Sequence, residues 1–142
     1  MKYSSKLSNA IHILVLIALN PLDNMTSMAF ANSLNTNAGF VRQIMCALKK
    51  ANLIESVHGH ASPSLSKPEE QITLLEIYRA IEGNKPLLHL DTHTNPECGI
   101  GVNIQYSIQD FYNQVQTTAE QEMSTITLKN IIDNFNTKIK PL

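Results

Sequence analysis

The stretch "HTNPECGIG", residues 93–101, holds Cys98, one of two cysteines in the chain. Its neighbours admit three chemistries. A metal site is the first. His89 and His93 stand four apart and Cys98 follows five positions on, a donor set that suits zinc or copper. The segment reads as loop, however, so no helix holds the two imidazoles on one face. A redox thiol is the second. Cys98 precedes Gly99 near the start of a long helical pattern, and the positive end of a helix favours a thiolate. Such a thiolate is readily oxidised and can pair with another thiol. Cys46 is the other one. Asp91 and Glu97 oppose this, because carboxylates disfavour a second negative charge nearby. The third reading is a solvent-facing cysteine with no chemical role.

A second stretch, "AGFVRQIMCALKKAN" from Ala38, offers different chemistry. At about 100° per residue, Val41, Ile44, Met45 and Leu48 share one face, and Gly39, Arg42, Gln43, Cys46 and Lys50 point away from it. Arginine and glutamine are the side chains that read guanine and adenine edges in a major groove. Lys49 and Lys50 suit phosphates, which give affinity without sequence information. Ala38 and Gly39 are small enough to bring a helix N-terminus close to a duplex. Thr26, Asn37, Phe40 and His58 complete the candidate DNA-contacting set. No Ser/His/Asp arrangement, glycine-rich phosphate loop or paired-carboxylate spacing is present. The chain is therefore not read as an enzyme.

These side chains need positioning elements. Ser4 to Leu19 reads as a first helix, ended by the turn "NPLDN". Thr26 suits the N-cap of "SMAFANSL". Ala31 is small where a second helix would cross, and Phe30 and Leu34 would anchor the pair. Asn35-Thr36-Asn37 supplies a turn, with Asn37 as the next N-cap. "LIESV" reads as a strand that ends at "HGHASPS", with Leu65 on a returning strand. "ITLLEIYRAIEG" carries a capping box, Thr73 with Glu76, and Gly83 as its stop. Residues 84–100 read as loop. A long helix is expected over residues 101–123, with Ile104, Ile108, Phe111, Val115 and Ala119 on one side. "STITLKNIIDNF" supplies a last helix, capped at Thr125 or Thr127. Two short helices, a tight turn and then a hairpin describe a winged helix-turn-helix.

Composition sets outer bounds. The 142 residues suit one domain with an appended element. A hydrophobic share of 43% supports a core, and 16% charged residues argue against disorder. Two cysteines make no disulfide framework, which fits a reducing compartment. The net charge of −1 hides an asymmetry. Residues 1–67 hold six Lys/Arg against two acids, and residues 68–142 hold five against ten. A basic half suits a polyanion. Lys2 and Lys6 before "AIHILVLIAL", with "AFA" further on, outline a signal peptide. His12 and Asn9 interrupt that apolar run, and Leu7, Ile11, Leu14, Val15 and Ala18 fall at amphipathic-helix spacing. The run is also far too short to span a membrane.

Taken in order, "KLSNAIHILVLIAL", "MTSMAFANSLNTNAGFVRQIMCALKKANLIESV" and "ITLLEIYRAIEG" resemble the Rrf2 family of bacterial transcription regulators over nearly the whole chain. "ITLLEIYRAIEG" is the most telling piece, because generic winged helices do not carry it after the wing. The resemblance implies a mostly helical winged helix-turn-helix with a small β-hairpin wing and a long C-terminal dimerisation helix. It implies a cytoplasmic homodimer, a repressor in the leading reading, on a palindromic operator. The expected division is a DNA-binding domain over 1–83, a sensor or connector loop over 84–100, and dimerisation helices over 101–142. Two departures stand out. The wing "HGHASPSLSKP" lacks the glycine pair and aromatic of many members, leaving His58 and His60 at its tip. Members that bind an iron–sulfur cluster carry three cysteines in the loop after "IEG", whereas this chain carries Cys98 alone. No cluster, and no other cofactor, is expected. The competing function is a protein-interaction module on the same fold, with weak or no specific DNA binding.

Overall fold

The computed structural model describes residues 4–19, 25–56 and 62–139. The expected turn at 20–24 and the wing tip at 57–61, with His58 and His60, lie outside the described residues. In chain order the elements are α1 (Lys6–Leu19), α2 (Ser27–Leu34), α3 (Ala38–Lys50), β1 (Ile54–Glu55), β2 (Ser64–Leu65), α4 (Leu74–Glu82), α5 (Gly99–Thr125) and α6 (Leu128–Lys138). A short 3-10 turn, Glu69–Gln71, precedes α4.

The core forms where α1 meets α2, α3, α4 and α6. α1 buries Ala10, Ile13, Leu14 and Ile17, so the apolar run that outlines a signal peptide is core helix here. Phe30 and Ala31 enter from α2, Val41, Ile44 and Leu48 from α3, and Leu53 and Ile54 from the start of the wing. Ile72 and Ile77 close the cluster from the α4 side. Each fully buried side chain of this size contributes about 1.5–3 kcal/mol relative to exposure.

Local chemistry explains the helix boundaries. Thr26 accepts from the Ala29 amide at 3.2 Å and starts α2. Asn35 ends α2 in the left-handed conformation, with φ 54°. The Thr36 amide then reaches back to the Ala31 carbonyl at 2.9 Å. α3 ends the same way. Asn52 has φ 59°, and the Leu53 amide bonds the Leu48 carbonyl at 3.0 Å. Both ends are Schellman motifs that use asparagine where glycine is commoner, because a short polar side chain tolerates positive φ. The two strands of the wing are short and antiparallel, pairing Ile54 with Leu65 and Glu55 with Ser64.

The C-terminal third departs from expectation in two ways. α5 begins at Gly99 and ends at Thr125, so it is longer at both ends than residues 101–123. The last helix, grouped by sequence with the dimerisation helices, sends Leu128 and Ile132 into the main core. Its N-cap is Thr127 rather than Thr125, in a capping box completed by Asn130. Thr127 also pairs with Thr73 in an isolated antiparallel bridge. Hydrogen bonds of 2.8 Å from Leu74 to Ile126 and from Leu128 to Ile72 flank that bridge. α6 is thereby stitched onto the start of α4.

Candidate nucleic-acid interface

α3 is positioned from below and left free above. Val41, Ile44 and Leu48 are buried, which fixes the rotation of the helix about its axis. Arg42, Gln43, Cys46, Lys49 and Lys50 are exposed along the opposite side. Among the described residues, neither Arg42, Lys49 nor Lys50 is held in an ion pair. Their charges therefore face solvent uncompensated by a carboxylate. Lys67, by contrast, is tied to Glu76, so part of the basic surplus of the first half is not free. Met45, expected inward, is half-buried and packs against the edge of the core.

The N-terminal turn of α3 is less open than a helical wheel predicts. Ala38 and Phe40 pack against the core cluster. Gly39, expected to point outward, is half-buried. A Cβ added there would come within 3.2 Å of the Asn37 side-chain oxygen. The reason is the cap itself: Asn37 folds back to accept from the Phe40 amide at 2.8 Å. The first amides of a helix lack an intrahelical acceptor. In α3 these belong to Ala38 and Gly39, so the backbone rather than the side chains of this turn is what an anion would meet. The Thr26 hydroxyl is likewise occupied as a cap acceptor, and remains free only as a donor. His58 lies outside the described residues.

The loop after α4 runs back along α5 and is held by glutamines. Gln116 accepts from the Leu87 amide at 2.8 Å, and Gln105 accepts from the Asp91 amide at 3.0 Å. Asp91 and Asn95 fold the loop locally by accepting from the amides of His93 and Glu97. Cys98 ends the loop as the N-cap of α5: its Sγ accepts from the Gly101 amide at 3.3 Å. Sequence reasoning placed the cysteine before the helix but missed its capping role. Among the described residues, no three His, Cys, Asp or Glu side chains gather to hold a metal ion, so His89, His93 and Cys98 are not assembled into a site. Cys46, on α3, and Cys98, at the cap of α5, are both exposed free thiols.

α5 carries no buried residue in the single chain. The side that meets α4 and the loop holds Gln105, Gln109, Tyr112 and Gln116. The expected stripe, extended by Ile100, is centred about 100° away around the helix. Ile100 is 77% exposed and Phe111 67%, with Ile104 and Val115 near half. No helix among the described residues is long and apolar enough to cross a membrane.

Comparison with known proteins agrees with this architecture. The Rrf2 family model, described as an iron-dependent transcriptional regulator, matches residues 3–134. YwnA of Bacillus subtilis (strain 168), assigned as an HTH-type transcriptional regulator, is 35% identical over 132 residues, covering 93% of this chain and 98% of YwnA. A crystal structure of a protein assigned as DNA-binding is 35% identical, covers 90% of this chain and 99% of that one, and superposes with a TM-score of 0.74. CymR, the global cysteine regulator of B. subtilis, shares the fold at 17% identity and a TM-score of 0.66, over 92% of this chain and 95% of its own. These relatives are regulators of transcription, not enzymes. With a winged helix-turn-helix, a long penultimate helix and a family match over nearly its full length, the chain belongs to the Rrf2 family of transcriptional regulators.

Proposed function

We propose that this chain is a cytoplasmic transcription repressor that binds a palindromic operator as a homodimer. α3 enters the major groove. Arg42 and Gln43 read base edges, Lys49 and Lys50 hold phosphates, and the amides of Ala38 and Gly39 receive a further phosphate. Thr26, Asn37 and Phe40 set the approach of that turn, and His58 adds a wing contact. The carrying observation is α3 itself: three core residues fix its rotation while three cations and a glutamine face outward without ion-pair partners.

The homodimer reading rests on the apolar stripe of α5. Ile100, Ile104, Phe111 and Val115 lie uncovered on one helix face, and a two-fold partner offering the same face would bury them. This reading keeps a reader (1–83), a connector (84–100) and a dimer element (101–142) as its proposed division, with α6 lending Leu128 and Ile132 to the reader core.

The description of the family as iron-dependent raises a cluster or an iron site. The donor set does not fit one. Cys98 is the single thiol of its loop, its sulfur is used as a helix cap, and Cys46 stands on α3. We therefore assign no cofactor. A thiol switch suits the geometry better. Oxidation of Cys98 by a peroxide gives a sulfenic acid, and condensation with a second thiol gives a disulfide. Either product changes the sulfur that accepts from Gly101, and so loosens the first turn of α5, where Ile100 and Ile104 begin the stripe.

The test is a fluorescence-anisotropy titration of duplex DNA from the chain's own promoter, with reduced and peroxide-treated protein in parallel. Tight, salt-sensitive binding that falls on oxidation and returns with a reductant supports the whole reading. Equal binding in both states keeps the repressor and removes the switch. Absence of specific binding in either state favours the protein-interaction module.

A further inference from the structure

A cleft of about 290 Å³ opens where α4, the loop that follows it and α5 meet. Tyr78, Arg79, Lys85, Pro86, Gln116 and Glu120 are in its walls. Its size lies at the small end of ligand pockets. The neutral part of the wall is already satisfied. The Tyr78 hydroxyl donates to the Lys85 carbonyl at 2.9 Å and accepts from Gln116 Nε2 at 3.2 Å.

The charged part is not. Arg79 reaches Glu120 through one carboxylate oxygen only, with Nη2 at 3.1 Å and Nε at 3.4 Å. Among the described residues, no partner takes the second Glu120 oxygen, Arg79 Nη1 or the Lys85 ammonium. The residues that line the cleft thus include two cations and one anion, around a volume that suits a small molecule.

We infer that this cleft binds a free α-amino acid, with its carboxylate on Lys85 and Arg79 and its ammonium on Glu120. A plain carboxylate would have to face Glu120. A plain amine would have to face Arg79 and Lys85. A molecule that carries both charges on one carbon answers both, and Pro86 with the Tyr78 ring leaves an apolar wall for a small side chain. The exposed Arg79–Glu120 pair contributes little to stability, so a ligand that supplies its own charges between the two leaves the fold intact. Because α4 packs on α3 and the cleft joins α4 to α5, occupancy would couple the reader to the dimer helix. That consequence rests on the regulator reading; the binding itself does not.

The experiment uses the full-length, nitrogen-15-labelled protein without DNA. Each standard L-amino acid is titrated at millimolar concentration, with acetate and methylammonium as single-charge controls. At least one amino acid is expected to shift the backbone signals of Asn84, Lys85 and Leu87 and the side-chain amide of Gln116 in a saturable way, while neither control does so. Lys85→Ala and Glu120→Gln should each weaken that binding about tenfold or more, as expected for loss of a charge-assisted contact, with an unchanged melting temperature. The inference is overturned if no amino acid shifts these signals, if acetate alone reproduces the shifts, or if both variants bind as the wild type does. DNA is absent from the measurement, so its failure leaves the regulator reading untouched, and a failure to bind DNA leaves this result standing.

Discussion

Thr73 and Thr127, each the N-cap of its own helix, also pair with one another in a single antiparallel bridge. The contact joins the start of α4 to the start of α6 and closes the N-terminal core with residues from the far end of the chain. Leu128, the first residue of α6, is fully buried as a result.

Leu128→Ala should therefore destabilise the DNA-binding core, although it lies beyond the long helix. The expected loss is about 2–5 kcal/mol, the range for large-to-small changes in a packed core. Urea denaturation followed by far-ultraviolet circular dichroism measures it. A loss below about 0.5 kcal/mol, the range of surface substitutions, would mean that α6 does not support the core.

Phe111 sits in the middle of the uncovered stripe on α5. Phe111→Glu should turn a dimer into a monomer without unfolding the chain, because the Phe111 side chain is largely exposed within one copy. Light scattering coupled to size exclusion reads the mass, and circular dichroism checks the helices. A wild type that stays monomeric at high concentration would remove the dimer from the account.

Cys98 caps α5 with a sulfur, a weak acceptor. Cys98→Ser should keep or raise stability, since serine is a preferred N-cap. Cys98→Ala should cost up to about 1 kcal/mol. Thermal melts of the three proteins give the order directly. If serine and alanine are equally destabilising, the cap is not what the residue contributes.

Lys129 donates to Asp133 at 2.9 Å, and that bond together with the Asp133 charge raises its pKa above the ordinary 10.5. A group whose folded pKa is raised adds stability that is complete below its unfolded value and is lost as pH rises through the folded one. The pair therefore adds no pH dependence near neutrality through Lys129, and its contribution fades only at strongly alkaline pH. In Asp133→Asn the Lys129 titration, followed by carbon-13 NMR at Cε, should move back toward 10.5. An unmoved titration would assign the shift to another charge.

Much of this was legible because it is local. Thr26, Asn37 and Thr73 announce helix starts by side-chain chemistry, and the 3.6-residue period of α3 separates Val41, Ile44 and Leu48 from Arg42 and Gln43. What was not legible is long-range. Nothing near Leu128 says that Ile72 awaits it, and nothing near Gln116 points to Tyr78. Cys98 was misjudged for a different reason: cysteine is an unusual cap, so the start of α5 fell two residues late. At α3, the wheel pointed Gly39 outward, and Ala38 and Phe40 were counted with the DNA-contacting set. It treats a helix as a cylinder and omits the cap that folds Asn37 over the first turn.

Whether α3 reads DNA through Arg42 and Gln43 is tested by comparing variants on operator and scrambled duplexes by anisotropy across a salt series. Arg42→Ala should weaken operator binding about 5- to 100-fold, the effect of losing one base contact, and should narrow the preference for operator over scrambled DNA. Lys49→Ala should weaken both duplexes alike and flatten the salt slope by about one. If Arg42→Ala and Gln43→Ala, both folded, bind the operator as tightly and as selectively as the wild type, α3 is not the reading element and the account fails.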